Sequence, residues 1–215
     1  MFKYSKLSPY KIKKILKCFS MDLTALQAAD FLGLNRNTIN RFYKLFREKI
    51  LLACEQENGF EGELELDESY FGGKHRKGKR GRGAENKIPV FGILKRDGKV
   101  YTQIIPNATS ETLLGIVEKK IKPDSIVYTD SYAAYNKLSI NGYKHFRVNH
   151  SKEFARGKNH INGIENFWAY CKMRLAKFHG LKKEDFHLHL KESEFRFNNR
   201  KQDLYKVLLR VVTRF

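Results

Sequence analysis

The spacing of apolar residues changes twice along this chain, and the two changes limit what it can fold into. From residue 8 to residue 50 apolar side chains recur every three or four positions: Ile12, Ile15, Leu16 and Phe19, then Ile39, Phe42, Phe46 and Ile50. That is the period of a helix with one buried face. After Gly59 the spacing drops to two in "GELELDESYF", and "KIPVFGILKRDGKVYTQIIP" holds two further strands about a turn at Asp97-Gly98. "DSIVYTDSY" and "KHFRVNH" are short strands, while "TSETLLGIVEKKI" is a capped amphipathic helix. The helical period then returns in "HINGIENFWAYCKMR". The order strand, strand, strand, helix, strand, helix, strand, helix predicts a mixed α/β sheet domain over 56–215, with C-terminal helices. Residues 1–55 are expected to form a separate, small all-α domain.

Within the first segment the helix starts are written in the sequence. Ser8 before Pro9 is an N-cap followed by proline at the first helical position, and Thr24 with Gln27 has the form of a capping box. Gly33 interrupts the pattern and Asn35 restarts it, giving two helices joined by a tight turn, a helix-turn-helix candidate. With Ile39, Phe42, Phe46 and Ile50 turned inward, the second helix exposes Arg36, Asn37, Asn40, Arg41 and Lys44, side chains suited to base edges and phosphates. The balance of the whole chain agrees: 42 lysines and arginines against 23 acidic residues leave a net charge of +19, which favours a polyanionic partner. A second basic feature is "GGKHRKGKRGRG", where glycines forbid a stable helix or strand. This is expected to be a mobile loop, with Lys77, Lys79, Arg80 and Arg82 available to phosphates.

Other classes are disfavoured. The three cysteines, Cys18, Cys54 and Cys171, are too scattered for a zinc motif or a disulfide framework, and read as reduced thiols of a cytoplasmic protein. No uncharged apolar run approaches the ~18 residues of a membrane span.

Three carboxylates stand out by position. Asp67 lies in "ELELDES" on the face shared by Glu63 and Glu65, opposite Leu64 and Leu66. Asp130 closes "SIVYTD" where the chain leaves the sheet, although alone it reads equally as a turn former before Ser131. In the late helix Ile161, Ile164, Trp168, Cys171 and Leu175 make an apolar stripe. Beside it run Asn162, Glu165, Ala169, Lys172 and Ala176, with alanines leaving room around the polar groups. Oxygen donors from two strands and a helix suit two Mg²⁺ (or Mn²⁺) ions about 4 Å apart, the arrangement used for phosphodiester displacement. His150 and His160 are accessory candidates.

Asp67, Asp130 and Glu165, with Lys172 seven residues on, resemble the two-aspartate, one-glutamate and basic-residue signature of bacterial insertion-sequence transposases of ribonuclease-H-like fold. The stretches "LDESYFGGK", "YTDSYAAY", "VNHSKEF", "HINGIENFWAYCKMRL" and "FRFNNR" are similar to the ISXO2-like group, numbered fifteen ninety-five. The resemblance covers residues 60–200 and implies a ribonuclease-H-like mixed sheet with flanking helices. It also implies metal-dependent strand cleavage at transposon ends and joining to target DNA, with double-stranded DNA as partner and a homodimer or larger assembly on it. Two features bear on the comparison with relatives: this chain lacks the cysteine zinc ribbon with which many begin, and some use asparagine as third ligand, which makes Asn162 a competitor to Glu165. A nuclease of the same fold and an inactive DNA-binding regulator are the alternative readings.

Overall fold

A computed structural model of the chain describes residues 6–56, 59–72, 87–135, 142–148 and 160–214. It divides into a helical unit, Met1–Glu57 with Arg174–Phe215, and a sheet unit, Asn58–Met173. Among the described residues no helix is long and apolar enough to cross a membrane.

In the helical unit α1 (Pro9–Ser20) is capped by Ser8, and α2 (Ala25–Leu32) by the Thr24–Gln27 capping box. Gly33 closes α2 at φ 60°, the left-handed conformation that a glycine adopts at no cost, and Asn35 caps α3 (Arg36–Glu55) by accepting the Asn37 N–H. Ile39, Phe42, Phe46 and Ile50 are buried as their spacing predicts, together with Tyr43, Arg47 and Cys54. Their partners include Phe195 of α6 (Phe186–Asn198) and Leu208 and Val212 of α7 (Leu204–Arg214). The C-terminal helices therefore complete the core of α1–α3, whereas the sequence pattern had assigned all of 56–215 to the sheet domain.

That core contains charge. Most of α6 is buried, including Lys191, Glu192, Glu194 and Arg196. Glu192 is bound by Arg47 at 2.7 Å, by Arg196 at 2.8 Å and by Arg174. Burial alone would raise the Glu192 carboxyl, but Arg174, Arg47 and Arg196 together hold it well below the usual range.

The sheet unit contains β1 (Glu63–Gly72), β2 (Lys87–Lys95), β3 (Val100–Ile104), β4 (Ile126–Thr129) and β5 (Lys144–Arg147). The strand order is β3-β2-β1-β4-β5. β1, β2 and β3 form an antiparallel meander, and β4 and β5 run parallel to β1. This mixed order is that of a ribonuclease-H-like sheet. Leu64, Leu66, Phe91, Ile93 and Val127 pack with Leu113, Ile116 and Val117 of α4 (Ser110–Lys120). Beyond β4 the expected helix is seen as a 3-10 turn at 133–135, and 136–141 lie outside the described residues. α5 (Asn162–Ala176) follows, buried through Ile161, Ile164, Phe167, Trp168 and Cys171.

Candidate active site

The parallel pairing of β1 with β4 matches Glu63 to Ile126 and Glu65 to Tyr128. Carried two residues further, the same offset sets Asp67 beside Asp130 on one face, on strands whose neighbours lie about 4.8 Å apart. Asp130 follows the last residue of β4, and one of its oxygens, Oδ1, accepts the Tyr132 N–H at 2.9 Å. The turn-forming role and the sheet-end position thus coexist in one side chain.

Glu165 stands in the first turn of α5, exposed with Asn162, Ala169, Lys172 and Ala176 along the polar strip. One turn further on, Trp168 is buried and donates its indole N–H to Asp67 Oδ2 at 3.1 Å, so α5 is fastened at Asp67 itself. The electrostatics report the same gathering. Burial, then the charges of Glu68 and Asp130, and further Glu165, push the Asp67 carboxyl up to about 7, against a partial lowering by the Glu68 backbone N–H. Among the described residues no group of three or more histidine, cysteine, aspartate or glutamate side chains closes to ligating distance. The donors nonetheless fit a hard divalent cation in kind, because the charges of Asp130 and Glu165 raise the proton affinity of the buried Asp67 carboxyl, where added positive charge would relieve them.

α5 is fixed to the sheet by a group that pattern reading left aside. Glu65, 1% exposed, accepts the Ile164 N–H at 2.9 Å near the start of α5, and Arg96 Nε at 3.1 Å. Arg96 also binds Glu63 at 2.8 Å and the His160 carbonyl at 2.6 Å, and its guanidinium lies 3.7 Å from the centre of the Tyr128 ring. An anion at a helix N-terminus and a cation paired to it lock strand, hairpin and helix together. Gly163 makes the approach possible: a Cβ there would stand 2.8 Å from Glu65 Oε2. The sequence signal was available in Arg96 beside the Asp97-Gly98 turn and in a glycine at a helix start.

The remaining predicted residues fall as follows. His160 sits against this network, its Nδ1 3.6 Å from Glu65 Oε1. Lys172 is exposed, with its ammonium 5.9 Å from the centre of the Phe71 ring. Glu68, the next residue of β1 after Asp67, accepts the Tyr135 hydroxyl at 2.7 Å, and its charge reaches Asp67. In the helical unit Arg36, Asn37, Asn40, Arg41 and Lys44 are all exposed on α3, and Lys44 makes an ion pair with Asp185 at 3.2 Å. Lys77, Lys79, Arg80, Arg82 and His150 lie outside the described residues.

Among solved structures, the catalytic core domain of BIV integrase aligns at 14% identity and a TM-score of 0.42, over 70% of this chain and 95% of that one. The Mos1 strand transfer complex aligns at 10% identity and a TM-score of 0.39, over 99% and 78%. A transposase-like protein of Haemophilus influenzae is 55% identical over 101 residues, 47% of this chain and 82% of the relative. Residues 59–198, spanning Asp67, Asp130, Glu165 and the β1–α5 framework, match the ISXO2-like transposase domain, and the chain belongs to that family.

Proposed function

We propose that this chain is a DNA transposase that binds the double-stranded ends of an insertion sequence, cuts there and joins the freed 3′ hydroxyl to target DNA. The observation that carries the reading is the β1–β4 register that, carried two residues further, sets Asp67 beside Asp130, with the charges of Asp130 and Glu165 reaching the buried Asp67 carboxyl. Asp67, Asp130 and Glu165 would hold Mg²⁺ or Mn²⁺, which when bound supplies charge neutralisation at the attacking and leaving oxygens of an in-line displacement. Lys172, two turns beyond Glu165 on the exposed strip, places an ammonium where a phosphate backbone crosses α5. Asn162, one turn before Glu165, offers an amide to orient that carboxylate or a phosphate oxygen. Arg36, Asn37, Asn40 and Arg41 supply base-edge and phosphate contacts for the element's ends. Pairing two ends calls for a homodimer or larger assembly on DNA.

The test is cleavage and joining of duplexes carrying the parent element's ends, with Mg²⁺. Glu165→Gln, Asp67→Asn and Asp130→Asn should each abolish both reactions while sparing folding and end binding, whereas Asn162→Ala should retain measurable activity. A live Glu165→Gln beside a dead Asn162→Ala would move the third ligand to Asn162. Equal cutting of unrelated duplexes would favour a nuclease.

A further inference from the structure

We infer that Trp168 is a positioning residue for the metal donor Asp67: its indole N–H presets the carboxylate that the cation meets. The inference rests on the proposed role of Asp67 as a ligand.

A buried tryptophan needs a partner for its N–H. Trp168, 4% exposed, finds it in Asp67 Oδ2 rather than in a backbone carbonyl. The ring has one seat. Gly92 stands directly across from Asp67 in the β1–β2 register, and a Cβ there would come within 2.5 Å and 2.8 Å of two indole carbons. Phe71 meets the ring edge-on at 6.0 Å between centroids, and Phe167 lies against it at 5.1 Å. With the indole wedged between Gly92 of β2 and two phenyl rings, its N–H points one way, and the plane of the Asp67 carboxylate is held with it. A residue that fills the core for its own sake would need neither the glycine opposite Asp67 nor an acceptor at the site.

Trp168 is the single tryptophan of the chain, so its fluorescence is a reporter beside the proposed ligand. Titration of the full-length wild type with Mg²⁺, and with the quenching ion Mn²⁺, should give a saturable emission change that Asp67→Asn lacks. Calorimetric titration should then show metal affinity about 10–100-fold weaker in Trp168→Phe, which keeps an aromatic ring but not the N–H. Gly92→Ala, which keeps the indole but displaces it, should weaken binding likewise. Val117→Ala, a truncation in the sheet core outside the indole's seat, should keep the wild-type affinity. Raised Mg²⁺ should restore cleavage by Trp168→Phe, and circular dichroism should show all four variants folded. Wild-type affinity in Trp168→Phe, or an equal loss in Val117→Ala, would overturn the positioning role while leaving Asp67 as ligand. A wild type that gives neither emission change nor heat would overturn both.

Discussion

Asp67 is held in its charged form at a cost when no cation is bound. Burial and the charges of Glu68, Asp130 and Glu165 set its carboxyl at about 7, against an unfolded value of about 3.9. Between those values the folded chain binds more protons at this site than the unfolded chain does. This contribution therefore makes stability fall as pH rises from about 4 to about 7, and stay low above that. Asp67→Asn removes the effect, so without metal the variant should melt above the wild type at pH 8, with the gap closing toward pH 4. Each ~1 kcal/mol recovered corresponds to about 2–4 °C in a chain of this size. Mg²⁺ at pH 8 should raise the wild-type melting temperature and leave Asp67→Asn unmoved. A gap independent of pH would show that the carboxyl titrates normally.

At the scale of elements, α5 depends on two backbone positions without side chains. Gly163→Ala would set a Cβ 2.8 Å from Glu65 Oε2 and 3.0 Å from Leu94. The overpacking should cost about 1–3 kcal/mol in urea unfolding. α3 depends on α6 and α7, because Phe195, Leu208 and Val212 share its core. Residues 1–55 expressed alone should therefore show no cooperative thermal transition by circular dichroism at 222 nm. A sharp melt would show the three helices to be self-sufficient. These same elements mark where the sequence was legible. Caps at Ser8, Thr24 and Asn35, the strands, and the β2–β3 turn at Asp97-Gly98 follow local rules, and the structure has them all. That Asp67, Asp130 and Glu165 lie in a strand, at a strand end and on the exposed strip of a helix was legible because period-two and helical spacing fix which face a side chain takes. What stayed hidden was non-local. Nothing in the spacing of α6 shows that Glu192 and Arg196 are buried, since charged residues read as solvent-facing until Arg47 and Arg174 arrive from elsewhere in the chain. Trp168 was legible as core, but its donation to Asp67 needed the register that sets Gly92 opposite.

For the molecule as a whole, a net charge of +19 should make the proposed DNA binding weaken with salt. Neutralising Lys77, Lys79, Arg80 and Arg82 should flatten the log-log dependence of binding on salt by up to about 4 units if all four meet phosphates. An unchanged slope would exclude the segment from the interface. The division of the chain also sets an order in time. The helical unit takes Met1–Glu57 from one side of the sheet sequence and Arg174–Phe215 from the other. During synthesis the sheet unit has all its residues before the helical core receives Phe195, Leu208 and Val212. Nascent chains interrupted ahead of residue 174 carry Asn37, Asn40 and Arg41 on a helix that has α1 and α2 beside it but still lacks α6 and α7. On the proposed function, such fragments should compete poorly for the element's ends, and completion of the helical core late in translation would reserve those ends for chains that already possess the sheet and its carboxylates.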